Sequence, residues 1–299
     1  MTNTVPGKTS RLAFISLILG AVFIGLSPIL VRLSEVEPVT TAFYRVFLGL
    51  PLMLVWMAGF SRRSVKPNSP PRRSELLWLI LPGVFFAGDL AFWHWSITLT
   101  TVANATLFAN FAPIYVAIAA AVLFHERFSR RFIVALIVAI TGAVILIGTS
   151  AGLSRDHITG DLLGMITAVF YAAYLVTVGR LRARYPTSKI MFWSSLSASF
   201  VLLPLAWLSG MSLPQSLSGW SVLVTLAWIS HLGGQGLIAY ALAHLSAAFS
   251  SVSLLTQPVV SALLAWVLFG ESLGPLQMTG GVIVLAGIYL ARRASTVPE

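Results

Sequence analysis

Long apolar runs separated by short polar or charged clusters recur along the whole chain. Cut at those clusters, the runs cover residues 12–33, 40–60, 76–97, 103–124, 132–149, 160–180, 189–208, 220–243, 246–268 and 275–291. Each is close to the roughly 20 residues that an α-helix needs to cross the hydrocarbon of a bilayer. Because lipid offers backbone groups no hydrogen-bond partner, the pattern predicts helices, spans 1 to 10 in chain order. The joints 98–102 and 244–246 are short and carry no formal charge at neutral pH, so the count falls to nine if either is continuous helix. The fold class predicted is an all-α membrane protein.

Composition sharpens this reading. Hydrophobic residues make up 57% of the 299 and charged residues only 9%, against about 25% charged in an ordinary soluble domain. A soluble globule could not hide so much apolar surface. Cysteine is absent, which rules out a disulfide framework and thiolate metal sites. A formal net charge of +10 raises the question of nucleic acid, but the basic residues stand in clusters between apolar runs, with no basic face interleaved with aromatic side chains. Nucleic acid is therefore not an expected partner; the lipid bilayer is.

Basic residues also set the orientation, since cytoplasmic loops hold them in excess. Arg62, Arg63, Lys66, Arg72, Arg73, Arg127, Arg130, Arg131, Arg180, Arg182, Arg184 and Lys189 fall in or beside the even-numbered loops, and Lys8, Arg11, Arg292 and Arg293 beside the two tails. The odd loops have only Arg32 and Arg155. A multi-pass protein of the bacterial inner membrane with both termini cytoplasmic is the expectation. The first run continues to Leu33 without a small-residue cleavage site and reads as a retained span. Residues 61–74, polar and proline-rich, form the one linker-like segment.

Laying residues 103–142 over 248–287 without a gap matches Pro113 with Pro258, Val122-Leu123-Phe124 with Val267-Leu268-Phe269, Glu126 with Glu271 and Gly142 with Gly287. The chain therefore contains one unit twice, divided as residues 1–150 and 151–299. Five spans per copy is odd, so the second copy enters the membrane inverted, and the matched loops agree: Arg127, Arg130 and Arg131 follow Glu126, whereas Ser272, Leu273, Gly274 and Pro275 follow Glu271. The predicted architecture is ten transmembrane helices in two inverted five-helix repeats, with a solute site near the midplane able to open to either side.

Residues 104–128 (NATLFANFAPIYVAIAAAVLFHERF) and 247–273 (AAFSSVSLLTQPVVSALLAWVLFGESL) both resemble the repeated signature of the EamA family in the drug/metabolite transporter superfamily. Ala42-Phe43-Tyr44-Arg45 and the glycines Gly280, Gly281 and Gly287 share in the likeness, which covers essentially the whole chain. The resemblance implies a ten-helix exporter or exchanger of small metabolites, often amino acids; the Trp- and Tyr-rich interior most resembles the bacterial aromatic amino acid exporters. It departs from the pattern in the second copy, where Phe192 and Trp193 stand near the position matching Arg45, so any charge role of Arg45 is one-sided.

Ionisable side chains within a span are costly and usually face a cavity or a partner. Arg45 and Asp89 lie about two turns below the outer ends of spans 2 and 3, where they either gate the cavity and meet a zwitterion or form a structural ion pair. Trp93 shares a stripe with Asp89, and His94 stands beside it; both fit either a ligand site or an interfacial aromatic belt. In span 8, Ser230 to Gly236 bring His231 and Gln235 together with glycines at mid-span, a break suited to a transporter site. Asn110, Gln257, Tyr171, Tyr174 and Tyr240 offer polar atoms at similar depth, as does Ser27. Pro113 and Pro258 each remove a backbone hydrogen bond in matched helices and predict a paired kink, a candidate hinge alongside Arg45.

Several chemistries have no motif here. No phosphate loop, zinc motif or nucleophile elbow occurs, so no cofactor, no metal and no catalytic residue is assigned, and the chain is not expected to be an enzyme. The function expected is secondary export of small metabolites by alternating access, amino acids among them, aromatic and large neutral ones included; other metabolites, cationic drugs or intramembrane enzymology are the alternatives. The small-molecule substrate is the expected partner. Glycines in spans 5 and 10 suit packing within a monomer, or a weak dimer.

Overall fold

The computed structural model describes residues 6–61, 73–100, 102–148, 157–271 and 273–295. Most of the linker-like segment, residues 62–72, lies outside them, as does Arg155. Among the described residues all regular structure is helical. Among the described residues nine helical spans are long and apolar enough to cross a membrane: Ser10–Arg32, Pro38–Gly59, Glu75–Leu99, Asn104–Phe124, Arg130–Gly148, Ile158–Leu181, Thr187–Leu208, Leu217–Ala241 and Ala247–Phe269. A further helix, Pro275–Ser295, occupies the place of span 10. It is less apolar, with Gln277, Thr279 and two glycines in its first two turns and Arg292 and Arg293 in its last.

The helices pack in a two-fold pattern. Span 3 lies on span 6 and span 1 on span 8; span 4 lies on span 6 and span 1 on span 9; spans 2 and 7, 4 and 9, and 5 and 10 pack on each other. Exchanging first-half for second-half numbers maps these contacts onto themselves, so the repeat in the sequence is a repeat in space. Leu12, Val55, Leu77, Val122, Phe200, Val267 and Val282 point outward and are exposed, as side chains in contact with lipid should be. With lipid outside as apolar as the core, helix association rests on close packing. Accordingly Gly142, Gly280 and Gly287 sit where spans 5 and 10 touch: a Cβ on Gly142 would lie 2.9 Å from Gly280 O, and one on Gly287 2.6 Å from Ala139 N.

Spans 4 and 9 are each broken in two at matched places. Span 4 comprises Val102–Ala109 and Ala112–Phe124, span 9 Ala247–Ser253 and Thr256–Phe269. Pro113 and Pro258 have no N–H, and their rings crowd the preceding turn. The chain tightens there: Ile114 N bonds Phe111 O at 2.9 Å and Gln257 N bonds Leu254 O at 2.9 Å. Span 1 breaks at Leu26, just before Pro28, and span 8 runs as a π-helix from Leu226 to Gln235.

The halves also end alike. Span 4 closes on His125 and span 9 on Gly270, both left-handed, with φ 55° and 67°. The following glutamates bond six residues back, Glu126 N to Ala120 O at 3.1 Å and Glu271 N to Ala265 O at 3.4 Å, one residue further than the bond that usually closes a left-handed cap. Only glycine adopts this conformation without a steric cost. His125→Gly is therefore expected to stabilise the protein by about 0.5–1 kcal/mol, read as a raised melting temperature in detergent, while Gly270→Ala lowers it.

Outside the spans, Glu35 in the first loop ties down the loop before span 8. It accepts from the Ser216 hydroxyl, Gln215 N at 3.0 Å and Ser216 N at 3.2 Å. The Ser216 hydroxyl is the main reason the Glu35 carboxyl sits below the usual glutamate range, partial burial opposing it and the two amides assisting.

Candidate functional site

A cavity of about 110 Å³ lies among the broken helices, with room for several waters or part of a small solute. Its wall includes Ile24, Ser27 and Pro28 from span 1, Arg45 from span 2, Asp89, Leu90 and Trp93 from span 3, and Thr106, Asn110 and Pro113 from span 4. The second half contributes Thr167, Tyr171 and Leu175 from span 6, Gln235 from span 8, and Ser251, Leu254, Gln257, Pro258 and Ser261 from span 9. Thr106 overlies Ser251, Leu90 overlies Gln235 and Pro113 overlies Pro258 at the repeat offset. The cavity is thus lined by matched positions of the two repeats, where the two halves meet.

Its polarity is concentrated in a few groups that lack partners. Arg45 is 4% exposed and its Nε has no hydrogen-bond partner. The guanidinium lies over the Phe86 ring, 5.8 Å from its centroid. Asp89 takes part in no hydrogen bond and no ion pair among the described residues. Arg45 and Asp89 are close enough to attract each other yet do not approach within 4 Å. Two opposite charges in a low-dielectric site, each facing the cavity and left unpaired, mark a place that a ligand's charges could complete.

The uncharged polar groups repeat the theme. Tyr171 turns its hydroxyl toward the amides of Gln235 and Gln257. The hydroxyl, Gln235 Oε1, Gln257 Nε2 and Thr106 Oγ1 are all buried without a completed hydrogen bond. Side chains bond backbone carbonyls close to the breaks: Asn110 Nδ2 donates to Thr106 O at 2.7 Å, and Ser261 Oγ donates to Gln257 O at 3.0 Å and to Gly25 O of span 1 at 2.7 Å.

Of the residues singled out in the sequence, Asp89, Trp93, Asn110, Tyr171, Gln235 and Gln257 line the cavity, together with Arg45, Pro113 and Pro258. His94, Tyr174, His231 and Tyr240 do not. His94 is fully buried against span 3 itself, Nδ1 donating to Leu90 O at 2.7 Å. Tyr174 and His231 form a layer behind the cavity, their rings 4.9 and 5.1 Å from Phe86, with His231 Nε2 2.9 Å from Ser195 Oγ. Tyr240 faces a separate apolar groove with Trp56, Thr187 and Leu237. Trp95 is 55% exposed, on the lipid side. Thr106, Thr167, Ser251 and Ser261 went unnoticed in the sequence because short hydroxyl side chains are common in apolar helices, where they bond their own preceding turn, as Thr167 does to Leu163 O at 3.0 Å.

A lipid-facing helical bundle of two related halves, closed around a polar cavity between broken helices, defines a membrane transporter. The EamA-like transporter family model matches residues 11–148 and again residues 158–293, and the chain belongs to that family. It is 30% identical over 221 residues to the pseudopaline exporter CntI of Pseudomonas aeruginosa, covering 74% of this chain and 76% of the relative. It is likewise 30% identical over 208 residues to a protein of Streptantibioticus cattleyicolor named "Probable terminal-alkyne amino-acid exporter", covering 67% of each. An uncharacterized transporter of Archaeoglobus fulgidus is 26% identical over 264 residues, or 87% of this chain and 89% of that one. A solved crystal structure superposes with a TM-score of 0.76 over 97% of this chain and 98% of its own, at 18% identity, a likeness of fold alone.

Proposed function

We propose that this protein exports amino acids and related zwitterions, aromatic and large neutral ones included, by alternating access. In this reading the chain crosses the bacterial inner membrane ten times as two antiparallel halves, residues 1–150 and 151–299, with both termini cytoplasmic. The observation that carries it is the unpaired Arg45 and Asp89 on one cavity wall. A solute bearing an ammonium and a carboxylate satisfies both: Asp89 receives the ammonium, and the planar guanidinium of Arg45 receives the carboxylate as a fork. Trp93 and Tyr171 give the remaining side chain aromatic surface, and Gln235 and Gln257 complete hydrogen bonds to it. An exporter of an amino acid among the relatives fits the same class. The kinked spans 4 and 9, related by the pseudo-two-fold axis, are the elements whose exchange of shape would open the cavity to one side and then the other.

Counterflow in proteoliposomes tests the substrate. Saturable, trans-stimulated uptake of amino acids is expected, with deaminated and decarboxylated analogues poorly carried; no flux of any amino acid would refute the assignment. The chain has no cysteine, so Ser129→Cys and Leu273→Cys report topology cleanly. They should be labelled from opposite faces of the membrane, and labelling from the same face would refute the antiparallel arrangement.

A further inference from the structure

Two arginine latches stand at matched ends of the bundle, and only one is complete. At the ends of spans 1 and 9, Arg32 lies over the Phe269 ring at 4.5 Å and forms an ion pair with Glu271. At the ends of spans 6 and 4, Arg180 lies over the Phe124 ring at 3.4 Å. Phe124 matches Phe269 and Glu126 matches Glu271 in the repeat, spans 6 and 4 being the counterparts of spans 1 and 9. The arginines themselves fall about one turn from strict correspondence, as expected if each copy found the same contact independently. Glu126 is exposed and forms no ion pair among the described residues, although Arg180 sits on the ring two positions before it.

From this asymmetry we infer that Arg32–Glu271 and Arg180–Glu126 are alternating gate contacts, each closing one face of the cavity. The inference rests on the alternating-access reading above. In the conformation described here the outer pair is made and the inner carboxylate is free; in the opposite conformation Arg180 takes Glu126 and Arg32 releases Glu271. Each latch joins the C-terminal half of a broken span to its neighbour across the halves: span 9, broken at Leu254, to span 1, broken at Leu26, on the outer face; and span 4, broken at Asn110, to the unbroken span 6 on the inner face. Arg32 and Glu271 are 57% and 50% exposed at the side chain. Such a pair adds little to overall stability, but a carrier balanced between two conformations responds to a small bias with a several-fold change in population.

The test uses a single reporter, Ala109→Cys, Ala109 being on the cavity wall, in the full-length protein in right-side-out vesicles, modified from outside by a membrane-impermeant thiol reagent. Glu271→Gln is expected to raise the outside modification rate several-fold and Glu126→Gln to lower it, with melting temperatures unchanged. Exchange of the outer charges, Arg32→Glu with Glu271→Arg, should restore the original rate, an outcome that mere loss of folding cannot produce. Rates unaltered by either substitution, or shifted in the same direction by both, would overturn the latch assignment. Protection of the same cysteine by added amino acid reads the transport function separately: protection without a latch effect refutes the latches alone, and no protection refutes the substrate reading.

Discussion

Asp89→Asn is expected to weaken substrate affinity by about 10–100-fold, and to do so in a way that depends on the substrate's ammonium group. The side chain keeps its shape and loses its charge. A charge-assisted hydrogen bond contributes about 1.5–3 kcal/mol, each 1.4 kcal/mol being tenfold. Because Asp89 lines the cavity and takes part in no hydrogen bond or ion pair among the described residues, that loss falls on the bound solute and not on a neighbouring helix. Counterflow as a function of substrate concentration separates this from a structural role. An amino acid and its deaminated analogue should differ strongly in the parent protein and hardly at all in Asp89→Asn. Were the variant to keep the parent's affinity and its discrimination, Asp89 would be no ammonium site. Arg45→Gln gives the mirror result, losing discrimination between the amino acid and its decarboxylated amine.

Much of this site was legible before any coordinates, for a physical reason. In a chain whose spans are almost wholly apolar, each polar interruption is costly and therefore informative. Asp89, Asn110, Gln235 and Gln257 all reach the cavity. The span ends were equally visible: all nine apolar spans begin and end within three residues of the runs read from hydropathy. What could not be read was which face of each helix turns inward. A soluble helix betrays its buried face by amphipathic contrast, whereas here the lipid-facing and packed faces are both apolar, and small hydroxyls such as Thr106 and Ser251 do not stand out.

The histidines show a second limit. His231 and Gln235 are four residues apart and would share a face of an α-helix. They lie in a π-helical stretch, in which that spacing also keeps two side chains on one broad face. Gln235 nevertheless reaches the cavity, whereas His231 packs on Phe86 and Ser195 in the layer behind it, a difference set by the neighbouring helices and not by spacing along span 8. The glycines Gly233 and Gly234 signalled a disturbance of span 8 but not its form. Glu271 was equally half-legible. It stands at a span end in the sequence, and its backbone closes the helix there, but the ion pair with Arg32 spans 239 positions and leaves no local trace in the sequence.

Gly280→Ala should cost about 2 kcal/mol or more in stability, whereas Gly281→Ala, one residue on, should be neutral or stabilising by up to about 1 kcal/mol. Both glycines lie inside the helix Pro275–Ser295, so their intrinsic gain from alanine is the same. Their surroundings differ. A Cβ on Gly280 would fall within 2.8 Å of Leu146 Cα and 2.9 Å of Gly142 O, backbone atoms of span 5 that cannot rotate away. One on Gly281 would meet nothing nearer than Val259 Cγ1 at 3.8 Å, an ordinary contact. Forcing spans 5 and 10 apart removes the dispersion contacts along their seam, and in lipid no hydrophobic term replaces them. Thermal unfolding of the two variants in detergent measures the difference. Its independence of protein concentration separates packing within one chain from packing between two: if the Gly280→Ala defect vanished on dilution to monomer, these glycines would be serving a dimer, and the contact between spans 5 and 10 would not be what holds the two halves together.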